Sequence, residues 1–139
     1  MDRGKQLPRA VVAVVPDRRG RVLVVRRSGQ VVAPGRLCFP GGMLQKGETP
    51  EAALVRELRE ELGVEAHPLR TLWTSTAPWQ VELTWLLAHL EPDAPLRPNP
   101  QEVAAVYWMT RQELEQSAEV LESNRPFLAA WARGEVVLE

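Results

Sequence analysis

The segment from residue 49 to residue 63 constrains the fold more than any other part of the chain, because it specifies one helix from start to stop. Thr49 is a good N-cap, and Pro50 suits the first helical position. Gly63 supplies the left-handed residue that commonly follows a helix. We therefore predict a helix that ends at about Leu62.

The predicted helix has two chemically different faces. An apolar stripe that should pack against a sheet is formed by Leu54, Leu58 and Leu62. Carboxylates at spacings i, i+3 and i+4, which share one helix face, stand away from that stripe at Glu57, Glu60 and Glu61. Like charges this close repel, whereas a hard divalent cation such as Mg²⁺ would bind their oxygens. The helix is therefore expected to carry a site on its exposed side.

Size and composition are those of one globular domain. The chain has 139 residues and a net charge of −1, so we predict a single domain over residues 1–139, with neither nucleic acid nor a membrane as partner. Its single cysteine, Cys38, excludes an internal disulfide and is expected to be a buried structural thiol. The start of the chain has no apolar leader, which together with the cysteine usage favours a cytoplasmic protein.

Valine-rich runs and turn signals predict strands around the helix. Residues 10–15 and 22–25 are such runs, and the turn at residues 16–20 between them predicts a β-hairpin. The proline and glycines of residues 40–42 are expected to stop a strand, and the prolines of residues 91–100 predict a stiff loop. The other predicted strands are residues 37–39, 68–73, 81–90, 103–109 and 136–138.

Two shorter helices are predicted in the last third of the chain. Thr110 with Glu113 matches a capping box, and Asn124 is expected to cap a last helix that ends near Arg133. Strands thus precede, separate and follow helices. This order predicts a mixed α/β domain rather than the regular alternation of a doubly wound parallel sheet.

Residues 42–64 fit one template at every defined position. With U for an aliphatic residue, the template is G-x5-E-x7-R-E-U-x-E-E-x-G-U. Its fixed positions are filled by Gly42, Glu48, Arg56, Glu57, Glu60, Glu61 and Gly63. This is the signature of the Nudix hydrolases, and the chain resembles that family closely in this segment.

The resemblance implies an α/β/α sandwich with a mixed central sheet, and hydrolysis of a nucleoside diphosphate linked to another group X. It also implies one to three Mg²⁺ or Mn²⁺ ions, held by Glu57, Glu60 and Glu61, with the backbone carbonyl of Gly41 as a further ligand. Such ions would neutralise the diphosphate and lower the pKa of a bound water. Because many members of the family pair, a homodimer is open as well as a monomer.

The resemblance also suggests roles for the neighbours of these ligands. Arg56 belongs to the catalytic set as the residue that holds the carboxylates in register, by pairing with Glu48 or Glu60. The general base lies on the motif helix in some Nudix enzymes, which here points to Glu57 or Glu60. In other members it is a glutamate from a later loop, and Glu102 is our candidate for that residue. An exposed glutamate at a strand edge is the alternative for Glu102.

Three residues outside the motif are candidate substrate contacts. Arg26 and Arg27 follow the second strand, and guanidinium groups suit phosphates, although a solvated strand end is the alternative. Trp79 lies in a loop where its ring could stack on a base. Glu48, Gly42 and Gly63 are expected to be structural.

The identity of X rests on one further position. Pro78 stands 14 residues after Val64, close to the spacing found in members resembling ADP-ribose pyrophosphatases. The first choice is therefore ADP-ribose or a similar nucleotide sugar, and the second is a nucleoside triphosphate, oxidised ones included. A Nudix module that senses a nucleotide without cleaving it is a hypothesis of a different class.

Overall fold

Strands and helices follow each other irregularly, which confirms the prediction of a mixed α/β domain. The computed structural model describes residues 7–139, so the start of the chain, on which the expectation of no leader rests, lies largely outside the described residues. The strands are β1 (Arg9–Val14), β2 (Arg21–Arg27), β3 (Leu37–Cys38), β4 (Gly41–Met43), β5 (Ala66–Ala77), β6 (Val81–Leu90) and β7 (Val103–Thr110). The helices are α1 (Pro50–Leu62), α2 (Arg111–Gln116) and α3 (Arg125–Ala132), with a 3-10 turn (Glu122–Asn124) before α3.

The strands form two sheets. A four-stranded mixed sheet has the order β4-β1-β6-β5, in which β1 and β6 run parallel and the other neighbours are antiparallel. An antiparallel sheet has the order β3-β2-β7. Consecutive strands β1 and β2 therefore lie in different sheets.

The prediction that β1 and β2 pair as a hairpin was wrong, except for the pairing next to the turn between them. The pairing described between the two segments is a bridge from Pro16 to Val22 and a hydrogen bond from the Leu23 N–H to the Val15 carbonyl. Both strands are buried on both faces, so their apolar runs carry no information about which neighbour each one pairs with.

The sheets are covered by helices on both faces, which confirms the expected α/β/α sandwich. Successive side chains of β1 point to opposite sides, so Val11 packs with Leu58 of α1, while Val12 packs in the core that contains Phe127 of α3. Helix α2 contributes Leu114 to the second of these cores. No helix within residues 7–139 is long and apolar enough to cross a membrane.

Helix α1 forms as its sequence predicts. The Thr49 hydroxyl accepts a hydrogen bond from the Ala52 N–H at 3.1 Å, and Gly63 has a φ of 61° with its N–H donated to the Arg59 carbonyl. Full burial of a leucine side chain contributes about 2 kcal/mol, so the apolar stripe fixes the helix against the sheets. The fully buried stripe residues are Leu54, Leu58 and Leu62.

The end of the chain differs from the prediction in two places. The side chain of Asn124 does not cap α3, because its Oδ1 accepts the buried N–H of Phe39 at 3.0 Å instead. Residues 136–138 form no strand, and Val136 packs as an irregular segment in the core shared with α3.

Candidate active site

Residues 40–42 were expected to end a strand, but Gly41 and Gly42 begin strand β4 instead. These two glycines let β4 approach α1 closely. A Cβ on Gly42 would collide with the carboxylate of Glu57, and a Cβ on Gly41 would collide with the carbonyl of Val11. The Gly41 N–H donates to Glu61 Oε2 at 3.2 Å. The pair Gly41 and Gly42 therefore holds two helix carboxylates against the edge of the mixed sheet.

Two of the three glutamates on the carboxylate face of α1 are buried, which corrects the expectation of a site on the exposed side of the helix. Glu57 is 9% exposed and Glu61 is 8% exposed, whereas the side chain of Glu60 is 50% exposed. At about 100° per residue, Glu61 lies roughly 60° from the centre of the leucine stripe and Glu60 roughly 160° from it. The carboxylate face thus begins inside the packed interface.

The fold opposes the negative charge of these buried carboxylates. Burial raises the pKa of Glu61 well above its ordinary value, and the nearby charges of Glu57 and Glu102 raise it further, while the Gly41 N–H and Arg27 lower it. Burial also raises the pKa of Glu57, against the opposing effect of its hydrogen bond with Arg56. A bound cation would relieve this cost, since it favours the charged form of each carboxylate.

The guanidinium of Arg56 ties the motif together. Its Nε and Nη2 donate to the two carboxylate oxygens of Glu48 at 2.8 and 2.9 Å, and Nη2 also donates to the Met43 carbonyl at 3.0 Å. Its Nη1 bridges Glu57 at 2.9 Å and Glu60 at 3.2 Å. The predicted pairing of Arg56 is confirmed with both partners. The hydrogen bond from Arg56 lowers the pKa of Glu48 to about 2.

Glu102 lies beside the cluster, as its like-charge effect on Glu57 and Glu61 indicates. Its carbonyl accepts the Ser28 N–H at 3.0 Å, which ties the start of β7 to the end of β2. Its carboxylate accepts a hydrogen bond from the Asn99 side-chain amide at 3.4 Å. Sequence reasoning missed Asn99, whose only local signal was an Asn before a proline.

The two candidate arginines lie on opposite sides of β2. Arg27 is near enough to Glu61 to lower the pKa of that carboxyl, and its Nη1 lies 3.8 Å from Cys38 Sγ. Burial raises the pKa of the Cys38 thiol to about 11, so it stays neutral as expected of a structural thiol. Arg26 instead pairs with Glu119 at 2.7 Å and lies over the Tyr107 ring.

Trp79 is 57% exposed in the turn between β5 and β6. Strands β1 and β6 separate β5 from β4, so this turn belongs to the opposite edge of the mixed sheet, about 14 Å across in three strand spacings. Within one chain the structure thus brings Arg27 to the carboxylates but neither Arg26 nor Trp79. Substrate contact by any of the three stays a prediction.

The donor set of the cluster has the chemistry of a site for a hard cation. Within residues 7–139 no three acidic, imidazole or thiol groups converge tightly enough to enclose an ion, and Arg56 bridges Glu57 and Glu60. Every donor is nevertheless an oxygen, and two carboxylates are buried close together. The Pro40 carbonyl accepts the Ala13 N–H, and the Leu44 N–H donates to the Arg9 carbonyl. Because hydrogen-bonded and non-hydrogen-bonded pairs alternate along antiparallel strands, Gly41 and Val12 form a non-hydrogen-bonded pair. The Gly41 carbonyl therefore points away from β1.

Comparison with known proteins shows which family the chain belongs to. A NUDIX domain family model matches residues 6–131. The chain belongs to the Nudix family. It is 36% identical to a CTP pyrophosphohydrolase of Escherichia coli K12 over 107 residues, which cover 74% of this chain and 76% of that protein. It is 40% identical to an 8-oxo-dGTP diphosphatase of the same organism over 53 residues, 38% of this chain and 41% of that protein.

The structural comparison supports the Nudix fold. The MutT protein of Methanosarcina mazei Go1 superposes with a TM-score of 0.76 at 19% identity, covering 94% of this chain and 96% of that one. The family model and the similar pyrophosphohydrolases show that the protein is a Nudix pyrophosphohydrolase, from a family that acts on small-molecule nucleotides and generally uses divalent metal ions. This sets aside the hypothesis of a non-catalytic sensor.

Proposed function

We propose that this Nudix enzyme hydrolyses a nucleoside triphosphate to a nucleoside monophosphate and pyrophosphate. The observation that carries the proposal is the buried cluster of Glu57 and Glu61, with Glu102 and Arg27 beside it. An acidic, all-oxygen cluster suits a polyphosphate that brings or meets divalent cations. Two relatives described above are named for nucleoside triphosphate substrates, and one of them aligns over most of both chains.

Divalent ions would be held by the glutamates of α1 and the Gly41 carbonyl. Mg²⁺ or Mn²⁺, when bound there, supplies charge neutralisation and an acidified water. Glu60 is the most exposed member of the set, and binding of an ion through its Oε2 would replace its hydrogen bond from Arg56. Arg56 keeps its two bonds to Glu48 in that event, so the loop before α1 stays fixed to the helix.

The reaction itself needs a base and a path for the proton. The water oxygen forms a bond to a phosphorus of the α–β anhydride, the bridging P–O bond breaks, and the water proton passes to Glu102. Arg27 lies on the same side of β2 as α1 and offers a guanidinium to the polyphosphate. Glu57 is the alternative base, at the cost of its role as a ligand.

A nucleotide sugar such as ADP-ribose is the second candidate, favoured by the position of Pro78. It ranks below a triphosphate, because Pro78 lies in the same turn as Trp79 at the far edge of the mixed sheet. Its spacing from the motif therefore brings no side chain of the same chain next to the carboxylates.

A substrate panel tests the proposal. Wild-type protein is assayed with CTP, ATP, dGTP, 8-oxo-dGTP and ADP-ribose, each with Mg²⁺ and with Mn²⁺, and the products are identified. We expect at least one triphosphate to give pyrophosphate with a kcat/KM about tenfold or more above that for ADP-ribose. Faster release of AMP and ribose 5-phosphate from ADP-ribose would reverse the ranking. Protein with Glu57→Gln, purified in parallel, controls for contaminating phosphatases.

A further inference from the structure

Asn99, in the proline-rich loop before β7, contacts both sides of the carboxylate cluster. We propose that Asn99 is a positioning residue that sets the Glu102 carboxylate against the cluster on α1. The inference rests on the proposed function, in which the Glu102 carboxylate lies beside the ion-binding carboxylates and adds to their attraction for a cation, besides accepting the water proton. In this role one loop residue sets the distance between the motif helix and Glu102, a carboxylate outside the motif.

The backbone of Asn99 fixes the loop to both elements. Its N–H donates to the carbonyl of Glu61 at 2.8 Å, and its own carbonyl accepts the N–H groups of Glu102 at 3.0 Å and Val103 at 2.8 Å. The Glu61 carbonyl belongs to the last turn of α1, where carbonyls have no partner within the helix. One residue therefore joins the end of α1 to the beginning of β7.

The side chain of Asn99 supplies the second half of the arrangement. Its Oδ1 accepts the Gln101 N–H at 3.1 Å and closes a local turn, which leaves the amide nitrogen facing Glu102 Oε2 at 3.4 Å. Glu102 needs such a partner, because Glu57 and Glu61 repel its charge. Among the described hydrogen bonds and ion pairs, Asn99 is the partner of that carboxylate.

The chemistry of an amide suits this task better than that of a basic residue. An amide N–H orients a carboxylate without placing a positive charge beside it. A lysine or arginine at this position would hold the carboxylate but compete with the metal. At 3.4 Å the hydrogen bond is long, so its loss should weaken the site without destroying it.

Substitutions at both ends of this hydrogen bond test the role. Asn99→Ser keeps a short acceptor for the Gln101 N–H and all backbone bonds, but cannot reach Glu102. Glu102→Asp shortens the carboxylate and leaves Asn99 unchanged. Gln101→Ala is the matched loop control, because the described bonds of Gln101 are made by its backbone. Mn²⁺ affinity is measured without nucleotide by electron paramagnetic resonance of free Mn²⁺, and the melting temperature is measured alongside.

We expect Asn99→Ser and Glu102→Asp each to weaken Mn²⁺ binding by about threefold to tenfold, with Gln101→Ala unchanged. In a Glu102→Gln background, Asn99→Ser should cause no further loss of Mn²⁺ affinity, because the acceptor of the hydrogen bond has already lost its charge. Unchanged affinity in Asn99→Ser, or losses that multiply in the double variant, would overturn the role. If Asn99→Ser melts early, unchanged Mn²⁺ affinity in Glu102→Asp overturns the role, because the position of the Glu102 carboxylate would then not matter to the ion.

The Mn²⁺ measurement also separates this inference from the proposed reaction. Wild-type protein that hydrolyses no triphosphate but shows the expected pattern of Mn²⁺ affinities would refute the reaction and support the positioning role. Triphosphate hydrolysis with a kcat that is equal in wild type and Asn99→Ser, together with equal Mn²⁺ affinity, would support the reaction and refute the role of Asn99.

Discussion

Individual glutamates of α1 differ in burial, and this difference determines what each substitution should do. Glu57 and Glu61 are buried against the backbone of β4, so their charge is unfavourable to the fold and available to a cation. Glu60 is half exposed and bonded to Arg56. Stability and activity should therefore respond in different directions to loss of charge at this cluster.

Glu57→Gln should reduce hydrolysis by about 10²-fold or more while the protein stays folded. The amide has nearly the same shape, it removes one buried charge, and it loses a metal ligand. Turnover and thermal unfolding are measured together, with Glu51→Gln as control, since Glu51 carries the same charge on an exposed position of α1. Full activity of Glu57→Gln would refute the assignment of this ligand.

Glu48 should make the stability of the protein depend on pH in the acid range. Its pKa is about 2 in the folded protein against an ordinary value of 4.5, so the folded state binds its proton less readily than the unfolded state. Its stabilising effect is therefore complete above pH 4.5 and is lost as the pH falls toward 2. We expect the melting temperature of wild type to exceed that of Glu48→Gln at pH 6, and the gap to shrink at pH 3. A gap that stays constant would show that the Arg56 pair does not act through this charge.

Among the elements, those specified by local signals were predictable and those specified by contacts were not. Helix α1 carries its own start, stop and apolar stripe, and the structure has it at the predicted bounds. Strand β4 was missed because its two glycines resemble a turn, and they form a strand only where Val11 and Glu57 leave no room for a Cβ. Strand β5 runs over Ala66–Ala77, beyond the predicted residues 68–73, because pairing with β6 extends it.

The turn between β5 and β6 offers a test of local strain. Gln80 has a φ of 64°, a left-handed conformation that costs a residue with a Cβ about 1 kcal/mol relative to glycine. Gln80→Gly should therefore raise the melting temperature by a few degrees and leave hydrolysis unchanged, since the turn is far from the cluster. Gln80→Ala removes the rest of the side chain but keeps the Cβ. It therefore separates the effect of losing the side chain from the effect of relieving backbone strain. A lower melting temperature for Gln80→Gly than for Gln80→Ala would contradict this explanation.

At the scale of the whole molecule, the site lies where the two sheets meet. The mixed sheet supplies β4 and supports α1, the antiparallel sheet supplies Arg27 at the end of β2, and Glu102 directly precedes β7. Motif spacing could identify the α1 glutamates because they lie within one helix. It could not separate Arg27 from Arg26 or find Asn99, because these depend on strand pairing and on a loop crossing between elements.

The Mg²⁺ dependence of triphosphate hydrolysis by wild type and Glu60→Gln tests the central claim most directly. After dialysis against a chelator, wild type should release no pyrophosphate, and added Mg²⁺ should restore turnover with saturation. Glu60→Gln should melt close to wild type and remain about 10²-fold or more slower at saturating Mg²⁺. Full turnover without metal, or full activity of Glu60→Gln, would contradict the account that the α1 carboxylates form a metal site for hydrolysis.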